Sequence, residues 1–182
     1  MDIEKLAQQG RYTTYGTMAG GIAAKLQGIR NETIKGCFCS NEGHSHRLEK
    51  VTNVRGVKFI NDSKATKVNA AWYALETMNR PTVWIMGGQD KGNDYSDLIT
   101  LAKDKVKAIV CLGLDNQNII DSFSGIVPEI LETQTMNDAV LSAFYLSEID
   151  DVVLLSPACP SFDLFEDYKE RGDKFIRAVQ DL

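Results

Sequence analysis

From Val57 onward the sequence alternates short, continuous apolar runs with amphipathic stretches, and this alternation constrains the fold more than any other feature. Runs that are apolar at successive positions suit strands buried on both faces, the condition met when helices cover both sides of a parallel sheet. The strand candidates are Thr82–Met86, Ala108–Leu112, a weaker one near Ile130, and Val152–Leu155. Helices are expected near Val68–Met78, Tyr95–Lys105, Asn116–Phe123 and Asn137–Ser147, with a last one from about Phe165 to Val179. Ahead of them Val51–Val54 and Val57–Ile60 read as a β-hairpin turned at Arg55-Gly56. The expected class is α/β: a Rossmann-like, mostly parallel sheet with helices on both faces and an N-terminal β-hairpin, preceded by a short helical segment.

That preceding segment has a different composition. Thr17–Gln27 is rich in small residues and compatible with a helix, Gly28 stands where a C-cap belongs, and Asn31 reads as the N-cap of a short helix toward Cys37. It holds too few large apolar residues for a core, so the expected division is a helical appendage over 1–45 and the main domain over 46–182. A length of 182 residues suits that arrangement. The formal net charge of -5 without a basic tract argues against nonspecific binding to nucleic acid or anionic membrane. The first ten residues lack the apolar core of a signal peptide, and no later run approaches the ~20 apolar residues of a membrane span, so a cytoplasmic protein is expected. The four cysteines form no CxxC pair and are expected as free thiols.

In sheets of this class ligands bind beyond the carboxyl ends of the strands, and three such ends carry polar loops: "NDSKAT" (61–66), "GGQDKGNDYS" (87–96) and "SPACPSFD" (156–163). In the first loop Asp62 and Ser63 suit capping of the following helix. Lys64 does not, because a cation near a helix N-terminus opposes the macrodipole unless an anion is bound there. Such an anion would be held by N–H groups, Thr66 and the lysine. In the second loop Lys91 is either a solvated lysine on a flexible turn or a ligand for an anion; the loop fits neither the Walker pattern nor GxGxxG.

In the third loop Ser161 and the adjacent Phe162 precede a helix whose free N–H groups can hold a carboxylate. Phe165 and Tyr168 are aromatics able to pack on the sheet, and Phe175 reads as core. No histidine follows His46, which disfavours Cys159 as a Cys–His nucleophile. Cys37, Cys39, His44 and His46 are all competent zinc ligands, but CxC and HxH are tighter than usual structural spacings, and no metal site is expected.

Together with "HRLE" at 46–49, the signatures "NDSKAT", "GG" followed by "DKGNDYS", and "SPAC" followed by "SFDLFEDYKERGDKF" closely resemble the C-terminal domain of the Mur ligases, in the branch that adds D-glutamate. The DNPR-type loop of the diamino-acid branch is absent. The resemblance implies an ATP- and Mg2+-dependent amide ligase of peptidoglycan synthesis. ATP phosphorylates the carboxylate of UDP-N-acetylmuramoyl-L-alanine, D-glutamate attacks the acyl phosphate, and phosphate and ADP leave. It also implies roles: Arg47, Asp62 and Lys64 toward ATP, with Lys64 at the reaction centre, and Thr66, Lys91, Ser161, Phe162 and Tyr168 around D-glutamate. The family's uridine-nucleotide and central ATPase domains, the latter holding most of the ATP and Mg2+ contacts, have no counterpart in these residues, and 1–45 resembles only the last helices of the central domain. Where that domain reads HNxxN, this chain has Tyr12-Thr13-Thr14-Tyr15-Gly16; Ser45 replaces a usual acid and Lys67 a usual asparagine. Two readings follow: the amino-acid-binding domain of a ligase, inactive alone, or a noncatalytic module that keeps the fold.

Overall fold

The computed structural model describes residues 11–33 and 45–182, with side chains described from residue 18 in the first stretch. The chain divides into two units, Met1–His44 and Ser45–Leu182. In the first, helix α1 (Arg11–Leu26) begins earlier than expected and takes in residues 12–16. It closes on Gly28, at φ 73, where the Gly28 N–H donates to the Lys25 carbonyl and the Ile29 N–H to that of Ala24. That paired closure is the Schellman arrangement, and it needs the left-handed conformation that glycine adopts without strain. A helical turn covers residues 31–33. The expected run toward Cys37, together with Cys37, Cys39 and His44, lies outside the described residues.

In the second unit β1 (Glu49–Val54) and β2 (Val57–Asn61) form the antiparallel hairpin. Arg55 and Gly56 both take positive φ, as a two-residue hairpin turn requires. Then follow α2 (Val68–Thr77), β3 (Thr82–Gly87), α3 (Ser96–Lys105), β4 (Val106–Leu112), α4 (Gln117–Phe123), β5 (Glu129–Thr133), α5 (Met136–Tyr145), β6 (Val152–Ala158) and α6 (Tyr168–Gln180). The six-stranded sheet has the order β1-β2-β6-β3-β4-β5, parallel throughout except for β1. Strands β3 and β6 are buried along their whole length because both faces are covered. Trp84, Met86, Ile109, Cys111 and Leu154 point into one core with α2, α3 and α4. Val83, Ile85, Val110, Val153 and Leu155 point into the other with α5 and α6. The period-two alternation of strand side chains thus feeds two cores at once. Among the described residues, no helix is long and apolar enough to cross a membrane.

The last helix starts at Tyr168 rather than Phe165. Asp167 is its N-cap, in extended conformation, and its carboxylate accepts from the N–H groups of Lys169 and Glu170. The N–H of Phe165 is used instead in a turn closed on the Ser161 carbonyl.

Candidate functional site

Because β2, β6 and β3 are adjacent and parallel, their carboxyl ends lie side by side, and so do the three polar loops. Backbone hydrogen bonds lace them together: the Ala158 N–H donates to the Ala65 carbonyl and the Gln89 N–H to that of Pro160. Arg171, from α6, binds all three. Its Nε donates to Ser63 Oγ at 3.0 Å, Nη2 to the Ser63 carbonyl at 2.9 Å, and Nη1 to the carbonyls of Cys159 at 3.1 Å and Gly87 at 3.5 Å. The residue is 1% exposed, and burial pulls its pKa down to about 10. Gly88, at φ 131, passes so close to the Pro160 carbonyl that a Cβ there would collide with it.

A strap formed by His46, Arg47 and Leu48 enters the same edge. His46 and Leu48 take positive φ on either side of an exposed Arg47. The strap is held by side chains: the His46 N–H donates to Glu49 Oε2, His46 Nδ1 lies 3.0 Å from the Asn61 amide nitrogen, and the Leu48 N–H donates to Asp62 Oδ1. The second Asp62 oxygen accepts from the Ser156 hydroxyl at 2.8 Å. Burial pushes the Asp62 carboxyl up to about 6, against the lowering effects of Ser156, the Leu48 N–H and Arg47.

Asp62 and Ser63 do not cap α2, contrary to one expectation. The N-cap is Lys67, without a side-chain hydrogen bond, so the turn of residues 62–66 separates these two from the helix. Their oxygens are directed into the loop lattice instead. Lys64 is exposed, with Nζ 6.0 Å from the centre of the Tyr168 ring. Thr66, two residues on, is half-buried.

Lys91 sits at the tip of the second loop between Asp90 and Gly92, the latter at φ 79. Asp90 orders this tip. Its Oδ1 accepts from the N–H groups of Gly92 and Asn93, each at 2.9 Å, and its Oδ2 from the Tyr95 hydroxyl and the Asn118 amide, each at 2.8 Å. Burial opposes the charged form of Asp90, but these bonds outweigh it and hold the carboxyl below its ordinary range.

In the third loop Ser161 is buried and Phe162 is 67% exposed. The free helix N–H groups expected just after them are not available, because Asp167 caps α6 internally and the Leu164 and Phe165 amides bond to Ser161. Cys159 is fully buried against Tyr95 and Asn93, and burial pushes its thiol up to about 11, which removes it as a nucleophile near neutral pH. Phe175 is core, packed against Phe59.

Residues 46–159 match a family model described as Mur ligase, glutamate ligase domain. The chain belongs to the Mur ligase family. The UDP-N-acetylmuramoylalanine--D-glutamate ligase of Christiangramia forsetii is 51% identical over 182 residues, which is 100% of this chain and 41% of that protein. The ligase of the same name from Bacteroides fragilis is 47% identical over 183 residues, with the same shares. The chain therefore spans well under half the length of these relatives. The solved structure of UDP-N-acetylmuramate-alanine ligase from Thermotoga maritima shares the fold, with a TM-score of 0.66 over 94% of this chain and 38% of that one at 13% identity.

Within this Mur ligase domain, Arg171, Asp90 and Asn118 order the loops of the candidate site, and the sequence assigns none of them a role of its own. The signal for Arg171 lies in the helix pattern: an arginine and Gly172 occupy the buried stripe continued by Phe175, Ala178 and Val179. A charged residue on an apolar stripe marks a buried polar lattice.

Proposed function

We propose that this domain is the D-glutamate-binding end of an ATP-dependent ligase that joins D-glutamate to UDP-N-acetylmuramoyl-L-alanine through an acyl phosphate, in the cytoplasm. The observation that supports it is the gathering of exposed Arg47, Lys64 and Lys91 on one sheet edge. None of the three forms an ion pair among the described residues. An edge with cations left for anions suits a reaction whose substrates carry phosphates and carboxylates.

In this reading Lys91 pairs with a D-glutamate carboxylate, with the hydroxyls of Thr66 and Ser161 and the backbone of Phe162 completing the pocket and Tyr168 forming a wall. Lys64 offsets negative charge at the transferred phosphoryl group, and Arg47 meets ATP from this side. Asp62, whose oxygens are both engaged, serves ATP by fixing the Arg47 strap. Among the described residues no three His, Cys, Asp or Glu side chains are grouped to hold a metal ion, so no step is assigned to Mg2+ bound here. The ion and most ATP contacts belong to the part of the ligase that this chain does not span.

The test is phosphate release. This chain with ATP, Mg2+, D-glutamate and the nucleotide substrate should release none above blank, whereas a full-length form containing it should turn over. In that form Lys91→Ala should raise the KM for D-glutamate by at least about tenfold, the loss of a charge-assisted contact. An unchanged KM would defeat the assignment of the pocket, and an inactive full-length form would favour the noncatalytic module.

A further inference from the structure

We propose that Asp90 is a positioning residue that holds the Lys91 tip in its binding conformation while leaving the lysine unpaired. The inference rests on the D-glutamate reading above. An acid next to a lysine that must receive an anion is at first sight a defect, since it repels the ligand and competes for the ammonium. The geometry resolves this. All four hydrogen bonds accepted by Asp90 come from other groups, two from backbone N–H donors immediately after Lys91 and two from Tyr95 and Asn118. The carboxylate's acceptor capacity of about four sites is therefore filled. Lys91 forms no ion pair among the described residues and stays exposed.

One anchor is buried and the other stands on a helix. Tyr95 is 1% exposed and packs against Phe123 in the core. Asn118 belongs to α4, and its amide also donates to the Asn93 carbonyl at 3.0 Å, so the tip is clamped from both sides. A charged acceptor suits this task because hydrogen bonds to an ionised group are stronger than neutral ones.

Asp90→Asn separates the proposal from a simple charge effect. Neutralising an acid beside an anion site should tighten D-glutamate binding if charge alone matters. If Asp90 orders the tip, the variant should weaken binding by about tenfold, because the amide keeps the size but cannot accept all four bonds. Isotope-labelled chain is used for amide exchange without ligand and for NMR titration with D-glutamate. The expected result is faster exchange at Gly92 and Asn93, unchanged exchange in β3 and β6, and weaker binding; Asn118→Ala should shift both in the same direction. Unchanged exchange at Gly92 and Asn93, or tighter binding, would overturn the proposal. If the wild-type chain does not bind D-glutamate, that reading fails, and the exchange rates alone decide the role of Asp90.

Discussion

Arg171 grips Ser63 twice, through Nε to the hydroxyl and through Nη2 to the carbonyl, across 108 positions of sequence. With its further bonds to Cys159 and Gly87, one buried guanidinium joins the carboxyl ends of β2, β6 and β3. Its positive charge has no carboxylate partner within salt-bridge distance among the described residues and is met by carbonyl dipoles.

Arg171→Met should therefore strip donors from several buried carbonyls and cost on the order of 2–4 kcal/mol of stability. Arg171→Lys should recover only part of this, because an ammonium cannot reproduce the planar fork that reaches two groups on Ser63. Urea unfolding of the three proteins measures both; equal stability of wild type and Arg171→Met would contradict the tie.

Gly172 and His46 form a second coupled pair. A Cβ on Gly172 would collide with the His46 ring. Gly172→Ala should thus cost about 1–3 kcal/mol despite the better helix propensity of alanine. In the His46→Ala background the same change should cost far less, and a double-mutant cycle gives the coupling.

Asp62 makes a signed prediction for pH. Its folded value of about 6 lies above the ordinary 3.8, so the native state binds the extra proton between these values. Its contribution to stability is fully present below 3.8 and lost as pH rises through about 6. At neutral pH the ionised carboxylate costs on the order of 2–3 kcal/mol, and Asp62→Asn should be more stable than wild type at about pH 7.5. The advantage should shrink toward about pH 4, read as the difference in urea midpoint between the two proteins.

The buried thiols of Cys111 and Cys159, pushed up to about 12 and about 11, should resist alkylation in the folded protein near neutral pH and react on unfolding. Peptide mass spectrometry reads each site separately.

The strands and most helices are legible in the sequence because continuous apolar runs and amphipathic periods report burial directly. The clustering of Lys64, Lys91 and Ser161 on one edge follows from the rule for strand ends. The insertion of β6 between β2 and β3 is not readable, since strand order depends on long-range pairing. The start of α6 differs from expectation because Asp167 wins the capping contest over the turn at Ser161. Asp90 and Arg171 fall within the quoted signatures, but what each one does is not legible there, because Asn118 for Asp90 and Ser63, Cys159 and Gly87 for Arg171 are brought close only by the finished sheet.

The proposed D-glutamate site is the sheet edge that bears Lys91. It is tested by NMR titration of the labelled chain with D-glutamate, with L-glutamate and Lys91→Ala as controls. Saturable shifts at Thr66, Lys91 and Ser161 are expected for D-glutamate, weaker ones for L-glutamate, and their loss in Lys91→Ala. Equal shifts for both enantiomers, or shifts that persist in Lys91→Ala, would contradict it.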